Sequence, residues 1–145
     1  MARLYPLVHC LDVRRGILFD TTALLELFKY ESANGAPSPL LLGIQPERRY
    51  TSIINMFEFI CNQPREVVRN RRIWLHDSNI QPLPLTRDVS ITFVSLLRET
   101  VGCHLRNDLL IAATAKREVL AVASRDNDFK DIEGILCVAE FAPPP

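Results

Sequence analysis

Residues 106–135 read RNDLLIAATAKREVLAVASRDNDFKDIEGI. Positions 107–118 form an alanine-rich helical stretch, in which Ala112, Ala113 and Ala115 are small enough to let a helix lie close against a sheet. Positions 119–123 are a short continuous apolar run, the pattern of a strand buried on both faces. An acidic turn follows, SRDNDF, and a last strand is expected over 135–139. Near the other end Ile17-Leu18-Phe19 is a second short buried strand, and Leu24, Leu27 and Phe28 recur after it at helical spacing. Between these two anchors lie a loop (NGAPSP, 34–39), a helix marked by Ile53, Met56, Phe57 and Ile60, and a basic helix from Arg65 to about His76. A short extended piece bracketed by Pro82 and Pro84 and a helix over 89–99 complete the interval. Strands alternating with helices predict an α/β fold in three layers, a mostly parallel central sheet flanked by helices.

The 145 residues are 48% hydrophobic and 23% charged, with a mean hydropathy of +0.06, the profile of one globular domain able to bury its own core. Seventeen basic and seventeen acidic residues balance, so binding to nucleic acid or membrane through overall basicity is excluded. No apolar run approaches the roughly 20 residues of a membrane span. The start, MARLYPLVHCLDVRRG, has neither a basic leader nor a small-residue cleavage site, and a cytoplasmic location is expected. Four scattered cysteines and three scattered histidines group into no disulfide framework, zinc site or nucleophile pair.

The acids hold the chemistry. In a parallel sheet, ligands gather where connections leave the carboxyl ends of the strands. Asp20 directly follows the first strand, Asp126 follows the strand 119–123, and Asp108 opens the helix leading into that strand. Thr51, Asn55, Glu58 and Asn62 are spaced to form one polar stripe on a helix, which gives Glu58 a place in a cleft. Each acid also has a plain structural role open to it: Asp20 and Asp108 as helix caps, Asp126 and Asp128 as turn residues, Glu58 as part of a solvated face. Taken together, four converging carboxylates suit a hard divalent cation, and without one they repel each other.

These stretches resemble a PIN domain, the nuclease fold of VapC-type toxins in toxin–antitoxin pairs and of RNA-processing enzymes. ILFDTTALLELF is similar to the family's opening strand with its aspartate, Asp20, and following hydroxyl, Thr21. TSIINMFEFI is similar to the second motif, with Ser52 six residues ahead of Glu58. The 106–135 stretch resembles the third and fourth motifs, with Asp108, the hydroxyl of Ser124, Asp126, and Asp128 as an accessory acid. The resemblance implies a nuclease domain over 16–140, preceded by an extension (1–15) and followed by a proline-rich tail (141–145). It also implies a metal-dependent endoribonuclease in which Asp20, Glu58, Asp108 and Asp126, with Asp128, hold Mg²⁺ or Mn²⁺. Thr21, Ser52 and Ser124 then orient the carboxylates by hydrogen bonds. A small antitoxin protein and a homodimer are the implied partners.

A metal site does not by itself grip RNA. Arg65, Arg69, Arg71 and Arg72 against Glu66 give the 64–76 stretch a local positive excess suited to phosphate contacts, while 118–140 is acidic. The same arginines could form a solvated helix face or meet an acidic segment of the antitoxin. Two other functions compete: a housekeeping RNA-processing nuclease, and an inactive RNA- or protein-binding module. A haloacid-dehalogenase-like phosphatase is a further rival, since Asp20-Thr21-Thr22 partly fits a strand-end Asp-x-Thr nucleophile, but the late alanine-rich motif has no place in it.

Overall fold

Gly16–Phe19 forms β1, the central strand of a five-stranded sheet ordered β3-β2-β1-β4-β5. The computed structural model describes residues 14–99, 106–125, 129, 132 and 137–138. Its other strands are β2 (Arg49–Ser52), β3 (Gln81–Leu83), β4 (Leu120–Ala123) and β5 (Cys137–Val138). Every pairing among the described residues is parallel: Ile17 stands beside Arg49 on one side and Ala121 on the other. The helices are α1 (Thr21–Asn34), α2 (Pro39–Leu42), α3 (Ile53–Ile60), α4 (Arg65–Asp77), α5 (Arg87–Glu99) and α6 (Arg106–Arg117).

The two-residue period of a strand divides the core in two. Ile17 and Phe19 of β1 and Ala121 and Ala123 of β4 pack on one face with Ala23, Leu24 and Leu27 of α1, Phe59 of α3, and Trp74 and Leu75 of α4. Leu18, Leu120 and Val122 point the other way, onto Val89 and Leu96 of α5 and Leu109, Ile111, Ala112, Ala113 and Ala115 of α6. Those three alanines are fully buried. This is the three-layer α/β arrangement expected. Among the described residues, no helix is long and apolar enough to cross a membrane.

Several elements differ from expectation, each for a local reason. The sequence RYTS of β2 is not apolar, and no strand is expected there. Arg49 is nevertheless buried, because its Nε donates to the Ile44 carbonyl at 2.9 Å and its Nη1 to the Ser78 carbonyl at 2.9 Å. Burial holds its guanidinium below the ordinary arginine value, with Glu47 nearby working against that shift. Thr51 therefore belongs to β2, and Asn62 lies beyond α3 at a φ of 60°. The expected polar stripe thus keeps only Asn55 and Glu58 on the helix. Residues 39–42, after the NGAPSP loop, form the short helix α2 capped by Ser38. The extended piece near Pro82 is β3, at an edge of the sheet where a residue without N–H is tolerated. The close approach of the chain entering β2 explains Gly16, the first residue of β1, since a Cβ there would stand 2.7 Å from the Arg48 carbonyl oxygen.

The fourth strand begins at Leu120, one residue later than expected, because Val119 takes a φ of 57° in the turn that ends α6. A left-handed conformation is costly for a β-branched residue, on the order of 1–3 kcal/mol, and glycine adopts it without that penalty. Val119 is also 47% exposed, so little packing is lost with its side chain. Val119→Gly is expected to stabilise the protein by about 1 kcal/mol, read as a rise in the urea midpoint at unchanged slope. A lower midpoint would show that the turn is not strained.

Candidate active site

The carboxyl ends of β1, β2 and β4 meet at one edge, and Asp20 stands at its centre. The backbone N–H of Asp20 donates to the Ala123 carbonyl at 3.1 Å, which continues the β1–β4 ladder by one residue. Its side chain is 4% exposed and caps α1. Oδ1 accepts from the Ala23 N–H at 2.9 Å and the Thr22 hydroxyl at 2.6 Å, and Oδ2 accepts from the Ser124 hydroxyl. A cap needs one acceptor atom. Here both oxygens are engaged, one of them from a residue 104 positions away. Thr22 in turn accepts the Arg125 N–H at 3.0 Å, and Arg125 Nη1 lies 3.4 Å from Glu26, which ties the chain leaving β4 to the first turns of α1.

Glu58 is exposed on α3. The Thr21 hydroxyl reaches its Oε1 at 3.4 Å, and Thr21 is the residue next to Asp20, so the first helix joins the two acids. Beneath Thr21 lies Asn55, 1% exposed, whose Nδ2 donates to Thr21 Oγ1 at 3.1 Å. Ser52, the cap of α3, accepts from the Asn55 N–H at 3.0 Å and donates to Asn55 Oδ1 at 2.6 Å. Thr51 donates to the Phe19 carbonyl at 2.7 Å, which pins β2 to the end of β1.

Asp108 is the third residue of α6, within its first turn and not at the cap position. A negative charge there is favoured by the unpaired N–H groups of the helix end. The residue is half-buried and its Oδ2 is shut off from solvent. Asp126 and Asp128 lie outside the described residues. Among the described residues no group of three or more His, Cys, Asp and Glu side chains is set to hold a metal ion. The structure therefore joins Asp20 to Ser124 directly and to Glu58 through Thr21, and it places Asp108 on a helix that contacts α3. The donors are carboxylate and hydroxyl oxygens throughout, the set that hard divalent cations take.

Thr22 and Asn55 join this hydrogen-bond network although the family's motifs do not single them out. Asn55 had a signal, three residues before Glu58 on the same helix face. Thr22 had only the Asp-x-Thr pattern of Asp20-Thr21-Thr22, which points to a phosphatase and not to this role.

The four arginines of α4 separate. Arg65, Arg69 and Arg72 are exposed, and at i, i+4 and i+7 they share one stripe of α4, with Glu66, His76 and Asp77 beside it. No ion pair involving these three is found among the described residues. Arg71 turns inward. Its Nη1 donates to the Phe59 carbonyl at 2.6 Å, and its Cζ lies 4.7 Å from the Phe59 ring centre and 5.5 Å from that of Phe28. It joins the aromatic cluster of Phe28, Phe59 and Trp74, which anchors the helix carrying Glu58, and is not part of the exposed stripe.

Fold and site together define an α/β protein with its polar chemistry at the carboxyl edge of a parallel sheet. The sequence matches the PIN domain family over residues 17–135, and the chain belongs to that family. Its fold is similar to that of a toxin–antitoxin complex from Klebsiella pneumoniae (TM-score 0.61, 24% identity, 83% of this chain and 96% of that one). It is also similar to FitAcB from Neisseria gonorrhoeae (TM-score 0.60, 22% identity, 83% and 95%). A third likeness is to DNA-bound VapBC from Salmonella typhimurium (TM-score 0.61, 17% identity, 84% and 96%). No curated protein matches the chain in sequence.

Proposed function

We propose that the protein is a metal-dependent endoribonuclease and the toxin of a toxin–antitoxin pair. The observation that supports this best is Asp20: a buried carboxylate with both oxygens held by donors, at the edge of the central strand and linked through Thr21 to Glu58. Membership of the PIN domain family and the likeness to toxin–antitoxin complexes support the same reading. Asp20, Glu58, Asp108 and Asp126, with Asp128, are the residues that would hold Mg²⁺ or Mn²⁺. When bound, such an ion supplies activation of water and neutralisation of charge on the phosphodiester.

The chain's own part is to orient. Thr22, Ser124 and the Ala23 N–H fix the Asp20 carboxylate, and Thr21 directs Glu58. Arg65, Arg69 and Arg72 draw RNA phosphates along α4, starting from the end of that helix that follows α3. A second copy of the chain covers the apolar face of α5, where Ile91, Val94 and Leu97 are 59%, 45% and 43% exposed. Leu4, Tyr5, Leu7, Val8 and Phe141, further apolar positions that suit a partner surface, lie outside the described residues. An antitoxin lysine or arginine among the carboxylates is the proposed means of inhibition.

Purified protein is expected to cut single-stranded RNA with Mg²⁺ or Mn²⁺, to stop with EDTA, and to gain thermal stability with either ion. RNA bound but left uncut in both metals would favour an inactive binding module, and turnover of small phosphomonoesters would favour the phosphatase. Growth arrest on expression in a bacterial host, relieved by the product of a small adjacent reading frame, separates a toxin from a housekeeping nuclease.

A further inference from the structure

We infer that Asn55 is a positioning residue that sets the direction of a hydrogen-bond chain running from Ser52 to Glu58. The inference deepens the nuclease reading and rests on it for its consequence, but not for its geometry.

The Ser52 Oγ accepts the Asn55 backbone N–H at 3.0 Å, and its own proton, in a fully buried setting, needs an acceptor. Asn55 Oδ1 stands 2.6 Å away and takes it. This fixes the amide with its oxygen toward Ser52 and its nitrogen toward Thr21. An amide nitrogen only donates, so Thr21 Oγ1, at 3.1 Å, is an acceptor in that contact. The Thr21 hydroxyl proton is then free to point outward, and Glu58 Oε1 at 3.4 Å is the acceptor it meets. Every donor thus points the same way, from Ser52 through Asn55 and Thr21 to Glu58.

The chain starts on residues 0% and 1% exposed and ends on an exposed carboxylate. That contrast is the point of it. A glutamate on a helix surface samples many rotamers, and holding one needs a partner that is itself immobile. Thr21 alone is a poor guide, because a hydroxyl can donate or accept. With Asn55 donating to it, it presents a proton to Glu58. The last link is also the longest, so the orientation of Glu58 depends on the rigidity of the three groups behind it.

The side-chain amide of Asn55 gives a test that needs neither metal nor RNA. Its ¹⁵N-resolved protons are expected to exchange slowly with solvent and to shift on Thr21→Val and on Glu58→Gln. An amide that exchanges freely, or that is unmoved by Thr21→Val, overturns the inference whatever the protein does to RNA. The consequence is read from Mn²⁺ affinity by calorimetry on Asn55→Leu, Thr21→Val and the double variant. Each single change is expected to weaken binding about tenfold, and the double variant to be no weaker than Thr21→Val alone. Additive losses would show that Asn55 acts on the fold and not through Thr21, and overturn the assignment.

Should Asn55→Leu fail to fold, Asn55→Asp keeps the shape but offers Thr21 an acceptor, drawing its proton away from Glu58. Added negative charge alone tightens Mn²⁺ binding, so a loss of affinity supports the inference and an unchanged or higher affinity overturns it. A wild-type protein with the protected, coupled amide that neither binds Mn²⁺ nor cuts RNA upholds the chain and overturns the nuclease reading instead.

Discussion

Asp20→Asn is expected to lower kcat/KM for RNA cleavage by at least about a thousandfold, some 4 kcal/mol of barrier, while the fold stays intact. The geometry makes this substitution unusually clean. Oδ1 receives the Ala23 N–H and the Thr22 hydroxyl, and an asparagine oxygen can keep both. Oδ2 receives the Ser124 hydroxyl, which can turn to accept from an amide nitrogen in its place. The cap on α1 therefore survives and the negative charge is lost. Asp20→Ala separates the two roles from the other side: it also removes the cap, at a cost of about 1 kcal/mol, or roughly 2–4 °C in melting temperature for a chain of this size. Cleavage by Asp20→Asn within tenfold of the wild type would leave Asp20 as a helix cap and nothing more.

What the sequence makes legible follows from how local each feature is. Ile17-Leu18-Phe19 and Leu120 to Ala123 announce themselves because both faces of those strands are buried and every residue is apolar. The helix before β4 is legible for the same reason, through alanines that let it lie against the sheet. β2 is not, because the burial of its Arg49 depends on tertiary contacts, one of them to the Ser78 carbonyl 29 residues away. Val119 reads as strand on propensity, and the turn overrides it.

The acids are legible as types in suggestive places, but their partners are not. Nothing in the local pattern says that Ser124 reaches Asp20 or that Asn55 stands behind Thr21, since both pairs are brought together by the sheet. Arg71 is the opposite case. It falls one turn before Trp74 and Leu75, on the face that carries the buried residues of α4, and its separation from Arg65, Arg69 and Arg72 could have been read from helical spacing alone.

Replacing Arg65, Arg69 and Arg72 together with glutamine is expected to weaken RNA binding about a hundredfold at 0.1 M salt, and hardly at all near 1 M. Each phosphate contact to a single strand contributes about 0.7 to the slope of log K against log salt, so three contacts flatten that slope by about 2. The expectation rests on the three guanidinium groups sharing one exposed stripe, with no ion pair to them among the described residues. Arg71→Gln is the control. It removes the hydrogen bond to the Phe59 carbonyl and the contact over the Phe28 and Phe59 rings, so it is expected to lower the melting temperature without changing the salt slope. A slope unaltered in the triple variant would mean that the stripe does not meet RNA. Retained RNA binding with loss of antitoxin binding would assign it to an acidic segment of that partner, because the same charges serve either polyanion and only the salt slope tells which one displaces counterions from a phosphate backbone.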